Sequence, residues 1–113
     1  MIPMKNIINL PRIYDPRGSL TVVENLKSLP FKIGKVKLLS GMTPEHVVEE
    51  NCAAHTIFAV PLSGSFCMET IQDGEKETSF LNRPYQGILI EASTPYRLYD
   101  FTYGAVCLLI EAL

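Results

Sequence analysis

Three side chains that can exchange protons lie within a short stretch of the chain: Glu50, Cys52 and His55. A carboxylate or an imidazole can remove a proton from carbon, and a thiol or an imidazole can return one. His46, the only other histidine, follows Pro44 in a predicted loop, where we expect it to be exposed. Glu50, Cys52 and His55 are therefore the candidates for general acid and base catalysis.

A second set of side chains is suited to binding a charged or flat ligand. The planar guanidinium of Arg17 can make two parallel hydrogen bonds to a phosphate group. Tyr96 places an aromatic ring beside the cation of Arg97, and such a pair can stack on a planar ligand. The alternatives are structural: Arg17 can pair with Asp15 or Glu24, and Tyr96 can pack in the core or at its rim.

Composition and charge exclude several classes of protein. A chain of 113 residues falls within the roughly 50 to 200 residues typical of one domain, so we expect a single domain over residues 1–113. Ten Lys and Arg against twelve Asp and Glu give a net charge of −2, which offers no overall attraction to nucleic acid or to an anionic membrane. The three cysteines form no Cys-x-x-Cys motif, and no export signal or membrane span is evident, so we expect a cytoplasmic protein.

The sequence pattern is strand-like, with short apolar or β-branched runs separated by Gly, Pro, Asn and Asp. It predicts an all-β, single-domain jelly roll with eight strands and little helix. The pairs Ser63-Gly64 and Asp73-Gly74 are predicted to be tight turns between antiparallel neighbours. The predicted strands are Leu20 to Glu24, Lys35 to Leu39, Thr56 to Leu62, Ser65 to Ile71, Glu77 to Leu81, Gly87 to Glu91, Tyr96 to Phe101 and Ala105 to Ala112.

Six segments carry a resemblance by their order and spacing: Asp15–Leu20, Leu29–Ile33, Leu62–Phe66, Asp73–Gly74, Leu81–Gly87 and Gly104–Leu109. Together they resemble the WxcM-like family of dTDP-4-keto-6-deoxyglucose 3,4-ketoisomerases. The resemblance implies a cupin barrel, or double-stranded β-helix, that is usually a dimer with exchanged N-terminal strands. It also implies a dTDP-linked deoxysugar as the ligand, in the synthesis of unusual sugars for surface polysaccharide.

The reactive residues of that family are replaced in this chain. In the family, a His-x-His pair preceded by Arg-Gly-x supplies the base that takes the C3 proton and the acid that returns one at C4. Counting back from Ser63 places the pair on Glu50 and Cys52, and the arginine is absent as well. A Tyr-Tyr pair of the family is Lys37-Leu38 here, and a tryptophan of the family is Tyr96.

Two functions stay open on the sequence. In the first, the chain is an isomerase in which Glu50, Cys52 or His55 replaces the usual base and acid. In the second, it is a catalytically silent relative that binds a nucleotide sugar or a partner enzyme. Under the second function Glu50 is a solvated loop charge, Cys52 is a small core residue and His55 makes a structural hydrogen bond.

We expect neither a metal ion nor a cofactor. A metal cupin needs about three His or Glu ligands, and the matching positions here are Glu50, Cys52, Ile57 and roughly Tyr96. Isoleucine cannot ligate a metal, tyrosine is an uncommon ligand, and the family that the chain resembles is metal-free. A homodimer is the expected assembly, because a partner most simply covers an exposed edge strand or an exchanged N-terminal arm.

Overall fold

Short apolar runs, some of them alternating with polar residues, give antiparallel strands throughout the part of the chain that this computed structural model describes, residues 7–10, 12–15, 18–21 and 29–113. The prediction of an all-β fold is confirmed. The strands are β1 (Ile7–Asn9), β2 (Arg12–Asp15), β3 (Gly18–Thr21), β4 (Ile33–Met42), β5 (Val48–Glu50), β6 (Ile57–Ser63), β7 (Phe66–Gln72), β8 (Glu75–Leu81), β9 (Gln86–Ile90), β10 (Tyr96–Tyr99) and β11 (Ala105–Ala112).

Two antiparallel sheets contain most of these strands. One sheet has five strands in the order β1-β9-β6-β11-β4, and the other has four in the order β5-β10-β7-β8. β2 and β3 pair with each other as a separate hairpin. Every predicted strand overlaps an observed one, but β1, β2 and β5 were not predicted. Each of these three is short and carries polar or charged residues, so it lacks the apolar run on which the prediction depended.

The two sheets face each other across an apolar interior. Successive strand residues point to opposite faces, so on β11 the side chains of Ala105, Cys107 and Leu109 enter this interior. A second cluster, around Phe58 and Ile110, covers the outer face of the five-stranded sheet. The buried residues of the interior cluster are Met42, Ala53, Ile57, Ala59, Phe66, Met68, Leu81, Ile88, Ile90, Tyr96, Leu98, Phe101, Ala105, Cys107 and Leu109.

One of the two predicted hairpin turns is correct. Asp73 and Gly74 both adopt positive φ, 52° and 78°, and join β7 to β8 in register. The turn at Ser63-Gly64 was predicted wrongly, because β6 and β7 belong to different sheets. The Ser65 N–H donates to Thr102 Oγ1 at 3.0 Å, and the Thr102 N–H donates to the Ser65 carbonyl oxygen at 3.1 Å. These bonds tie the crossing segment to the loop after β10, so the chain passes from one sheet to the other.

We predict that alanine at Gly64 destabilises the fold more than alanine at Gly104. Both glycines have positive φ, 76° and 75°, so a side chain at either position costs about 1–2 kcal/mol of strain. At Gly64 the added Cβ would also collide with Thr102 Oγ1, whereas nothing lies within 4 Å of it at Gly104. Urea denaturation should show a loss in Gly64→Ala that is about 1–3 kcal/mol larger. Equal losses would contradict the packing assigned to the crossing segment.

Candidate active site

A row of polar side chains crosses the inner face of the four-stranded sheet. Val48 packs against the interior cluster, and Glu50 lies two residues later on β5, so Glu50 also lies on the inner face. Glu50 pairs directly with Tyr96 on β10, and Tyr96 pairs directly with Thr70 on β7. Tyr96 is 5% exposed and Thr70 is 6% exposed, whereas Glu50 is exposed. The row therefore runs from the interior of the barrel out to solvent.

The five-stranded sheet brings a lysine and a carboxylate to the same interior. Lys37 on β4 pairs directly with Leu109 of the interior cluster, and Glu111 follows Leu109 by two residues on β11. Lys37 Nζ lies 3.2 Å from Glu111 Oε2, and the two side chains are 40% and 13% exposed. Within residues 29–113, this buried oxygen of Glu111 has no hydrogen-bond partner. The ammonium charge of Lys37 therefore compensates it.

Tyr96 connects the two sheets electrostatically. Burial raises the pKa of the Tyr96 phenol to about 12, and the negative charges of Glu50 and Glu111 act in the same direction. The hydrogen bond that the phenol donates to Glu50 contributes further to this rise in pKa. Each sheet therefore places one carboxylate close to the phenol. At neutral pH Tyr96 is an un-ionised hydrogen-bond donor between two carboxylates.

Three of the residues singled out in the sequence line one cleft: Glu50, Tyr96 and Arg97. Glu50 is exposed, as the alternative of a solvated charge expects, but it lies at the end of a strand and not in a loop.

The predicted pairing of the Tyr96 ring with the Arg97 cation is wrong, because successive strand residues point to opposite faces of β10. The Arg97 guanidinium carbon instead lies 4.4 Å from the centre of the Tyr99 ring. Glu49 and Glu69 also line this cleft and share the outer face of the sheet with Arg97, so the guanidinium reaches the cleft from the face opposite to the Tyr96 ring.

The other singled-out residues lie elsewhere. Cys52 is exposed, so the alternative that it is a small core residue is wrong. Ala53 takes the interior position instead and is 1% exposed, because the chain bends outward after Glu50. His55 is exposed and lines a separate cleft with Glu111. Arg17 lies outside the residues that the structure describes.

Sequence analysis missed the role of Glu111 and treated Lys37 only as a departure from the family. A signal for Glu111 was present, because Ala105, Cys107 and Leu109 continue to it with a period of two. Once Ala105–Ala112 is recognised as a strand, this period predicts that the Glu111 side chain points into the barrel. The direction of Lys37 depends on pairing with a strand far along the chain, which the sequence does not specify.

Two further results concern the residues with structural descriptions. Among them, no three His, Cys, Asp or Glu side chains are grouped so as to hold a metal ion. They include no helix that is long and apolar enough to cross a membrane.

The thiol of Cys107 is buried in the interior, and burial raises its pKa to about 12. That thiol is therefore un-ionised at neutral pH and is a poor nucleophile.

The relatives found by comparing sequences and those found by comparing structures agree with one another. The family model described as "FdtA: WxcM-like, C-terminal" matches residues 4–112. A 3,4-ketoisomerase from Helicobacter canadensis superposes with a TM-score of 0.89 and 26% identity, over 95% of this chain and 81% of that one. The WlaRB TDP-quinovose 3,4-ketoisomerase from Campylobacter jejuni gives 0.84 and 31% identity, over 95% and 83% of the two chains.

A third structure contains a ligand. A mutant of the 3,4-ketoisomerase QdtA from Thermoanaerobacterium thermosaccharolyticum, in complex with TDP-4-keto-6-deoxyglucose, gives a TM-score of 0.88 and 25% identity, over 95% of this chain and 78% of that one. No curated protein matches the sequence. The predicted cupin fold is confirmed by these superpositions.

We predict that Tyr96 makes stability depend on pH in the alkaline range. Its pKa rises from 10.0 to about 12 on folding, so the unfolded chain loses this proton first as the pH increases. The contribution of Tyr96 is fully present below pH 10 and is lost between pH 10 and pH 12. The loss should be on the order of 1–3 kcal/mol.

The measurement is urea denaturation across this pH range, together with an ultraviolet titration of tyrosine. Tyr96→Phe should remove a tyrosine that ionises at about pH 12 and flatten the alkaline loss of stability. Tyr103→Phe is the control, because Tyr103 is 81% exposed and its removal leaves Tyr96 in place. If Tyr96→Phe titrates and unfolds like the control, the phenol is not held between the two carboxylates.

Proposed function

The chain belongs to the WxcM-like family of sugar 3,4-ketoisomerases, and we propose that it moves the ketone of a TDP-linked 4-keto-6-deoxyhexose from C4 to C3. The observation that carries this proposal is the position of Glu50. Glu50 lies on the inner face of the barrel, directly opposite Tyr96 on the neighbouring strand, and its side chain is exposed to solvent. The supporting comparison is the ligand of the QdtA structure, which is TDP-4-keto-6-deoxyglucose.

Glu50 is the proposed base. Its carboxylate takes the proton from C3, and the electron pair of that C–H bond forms the C3–C4 double bond while negative charge moves to the C4 oxygen. The proton on the C3 oxygen then moves to the C4 oxygen. The C3 oxygen becomes the new ketone as the protonated Glu50 returns its proton to C4. Protons and electrons balance, and one carboxylate on one face of the sugar is sufficient.

Tyr96 has a supporting role in this scheme. Tyr96 is the direct cross-strand neighbour of Glu50, and in this scheme its hydroxyl orients the carboxylate when the sugar binds. Because the pKa of Tyr96 is raised to about 12, the phenol stays protonated while Glu50 accepts and returns a proton. A reacting carboxylate that is held in position needs less reorganisation when the sugar arrives.

Arg97 is the proposed contact for the diphosphate, together with Arg17. It lines the cleft of Glu50, and the Tyr99 ring holds its guanidinium in place. One carboxylate of this cleft forms an ion pair, and another belongs to the cross-strand neighbour of Arg97. Glu49 pairs directly across the strands with Arg97, and Glu69 Oε1 lies 3.5 Å from Lys76 Nζ. Synthesis of surface polysaccharide in the cytoplasm is the proposed setting.

We predict that Glu50→Gln abolishes isomerisation. The purified protein would be incubated with TDP-4-keto-6-deoxyglucose in deuterated water, with deuterium at C3 and the 3-keto product followed by NMR. Loss of the base should reduce the rate by about 100-fold or more. Glu75→Gln is the matched control, because Glu75 is exposed at the turn between β7 and β8.

Cys52→Ser and His55→Gln test the other two candidate residues in the same assay. Both should keep the wild-type rate. A rate in Glu50→Gln that equals wild type, with a loss in Cys52→Ser or His55→Gln, would move the base to that residue. Binding of the sugar nucleotide by the wild-type protein with no exchange at C3 would instead identify a catalytically silent binding protein.

We also propose a homodimer in which a second copy covers β4. This strand is at the end of the five-stranded sheet, and Val36 and Leu38 are 54% and 59% exposed on its outer face. Leu38→Glu should therefore shift the protein from dimer to monomer in size-exclusion chromatography with light scattering. Phe80→Glu is the control, since Phe80 is 60% exposed on the other sheet. A dimer that persists in Leu38→Glu, or that is lost only in Phe80→Glu, would contradict this arrangement.

A further inference from the structure

We propose that Lys37 binds the sugar oxygen on which negative charge develops, with Glu111 as its counter-ion. The proposal rests on the proposed isomerisation and assigns a role to two residues that the proton transfers do not use. These two residues form an ion pair inside the barrel, the one such pair among the residues that the structure describes, and the proposal gives that pair a function.

The first argument is position. Lys37 lies on the inner face of β4, opposite Leu109, whereas its neighbours Val36 and Leu38 point outward and are more than half exposed. Leu109 and Tyr96 belong to the same interior cluster. Lys37 therefore faces the space between the sheets, across from the row that contains Glu50 and Tyr96.

The second argument is the state of the ammonium group. It carries three N–H donors, and Glu111 Oε2 at 3.2 Å lies beside one side of it. The Lys37 side chain remains 40% exposed, so a ligand can reach it. Glu111 is only 13% exposed, and such a buried carboxylate is costly unless a cation lies against it. Glu111 thus holds the ammonium on the inner side of β4, with donors remaining for a ligand.

The third argument is the chemistry of the reaction. When Glu50 takes the C3 proton, charge accumulates on the oxygen at C4 and must be stabilised on the side of the sugar away from the base. A preformed cation in a partly buried site is effective there, because it needs no reorganisation. Glu50 and Glu111 both act on the Tyr96 phenol. Leu109, the cross-strand neighbour of Lys37, packs in the same interior cluster as Tyr96, so the proposal places the sugar against Tyr96, between Glu50 on one sheet and the Lys37–Glu111 pair on the other.

The experiment compares two ligands by isothermal titration calorimetry: TDP-4-keto-6-deoxyglucose and TDP alone. Lys37→Met should lose about tenfold in affinity for the keto sugar nucleotide, and about twofold or less for TDP, because TDP lacks the sugar oxygen. If the wild type exchanges deuterium at C3, the same variant should slow that exchange by about 100-fold. Lys32→Met is the control, since Lys32 is exposed and lies outside the barrel strands.

Removal of Lys37 alone leaves Glu111 buried without its cation and can unfold the protein. The double variant Lys37→Met with Glu111→Gln removes both charges together. It allows the role of Lys37 in binding to be measured even if the single variant unfolds. It should fold, bind TDP as the wild type does, and show the same tenfold loss for the keto sugar nucleotide. A double variant that keeps the wild-type preference for the sugar nucleotide over TDP would overturn the proposal.

The results also separate this inference from the proposed function. A preference that depends on Lys37, with no exchange at C3 in the wild type, would refute isomerisation and support Lys37 as a sugar-oxygen ligand. Wild-type exchange that is unchanged in both variants would refute the role of Lys37 and leave isomerisation intact. A wild-type protein that binds TDP and the keto sugar nucleotide equally would overturn the inference about Lys37.

Discussion

The organisation of the site depends on one constraint: a carboxylate inside an apolar barrel must have a cation or a hydrogen-bond donor beside it. Glu111 has Lys37 at 3.2 Å, and Glu50 accepts a hydrogen bond from Tyr96. Without Lys37, the buried carboxylate of Glu111 would be an uncompensated charge in an apolar interior, which is strongly destabilising. The same compensation keeps two opposite charges and a neutral phenol at the edge of the interior, where a polar ligand can reach them.

The topology explains why these groups meet. β6 is central in its sheet, and the run Ile57–Pro61 is buried on both faces, so it has no room for polar groups. β4 and β5 lie at the ends of their sheets, and they carry Lys37 and Glu50 to where the interior meets solvent. The polar groups therefore lie on the two edge strands and on their immediate neighbours β10 and β11, beside the apolar centre.

Much of this architecture could be predicted from the sequence. The strand Ala105–Ala112 was predicted with its observed bounds, because its apolar alternation is uninterrupted. β5 was not predicted, since three residues with two glutamates give no strand signal of their own. It forms because it pairs with β10. The prediction at Ser63-Gly64 failed because it also depended on a distant contact. The sequence fits a hairpin, but hydrogen bonds between Ser65 and Thr102 hold the chain as it crosses to the other sheet.

The site was predictable in part. Glu50, Tyr96 and Arg97 were singled out and line one cleft, whereas Cys52 bends away into solvent. Lys37 and Glu111 could not be matched as a pair, because their contact depends on the register of β4 against β11.

The most direct test of the account is a crystal structure of this protein with TDP-4-keto-6-deoxyglucose. The account predicts the sugar between the two sheets, with a Glu50 carboxylate oxygen about 3.5 Å or less from C3, as proton transfer requires. A sugar bound outside the barrel, or a Glu50 side chain that turns away from C3, would contradict it.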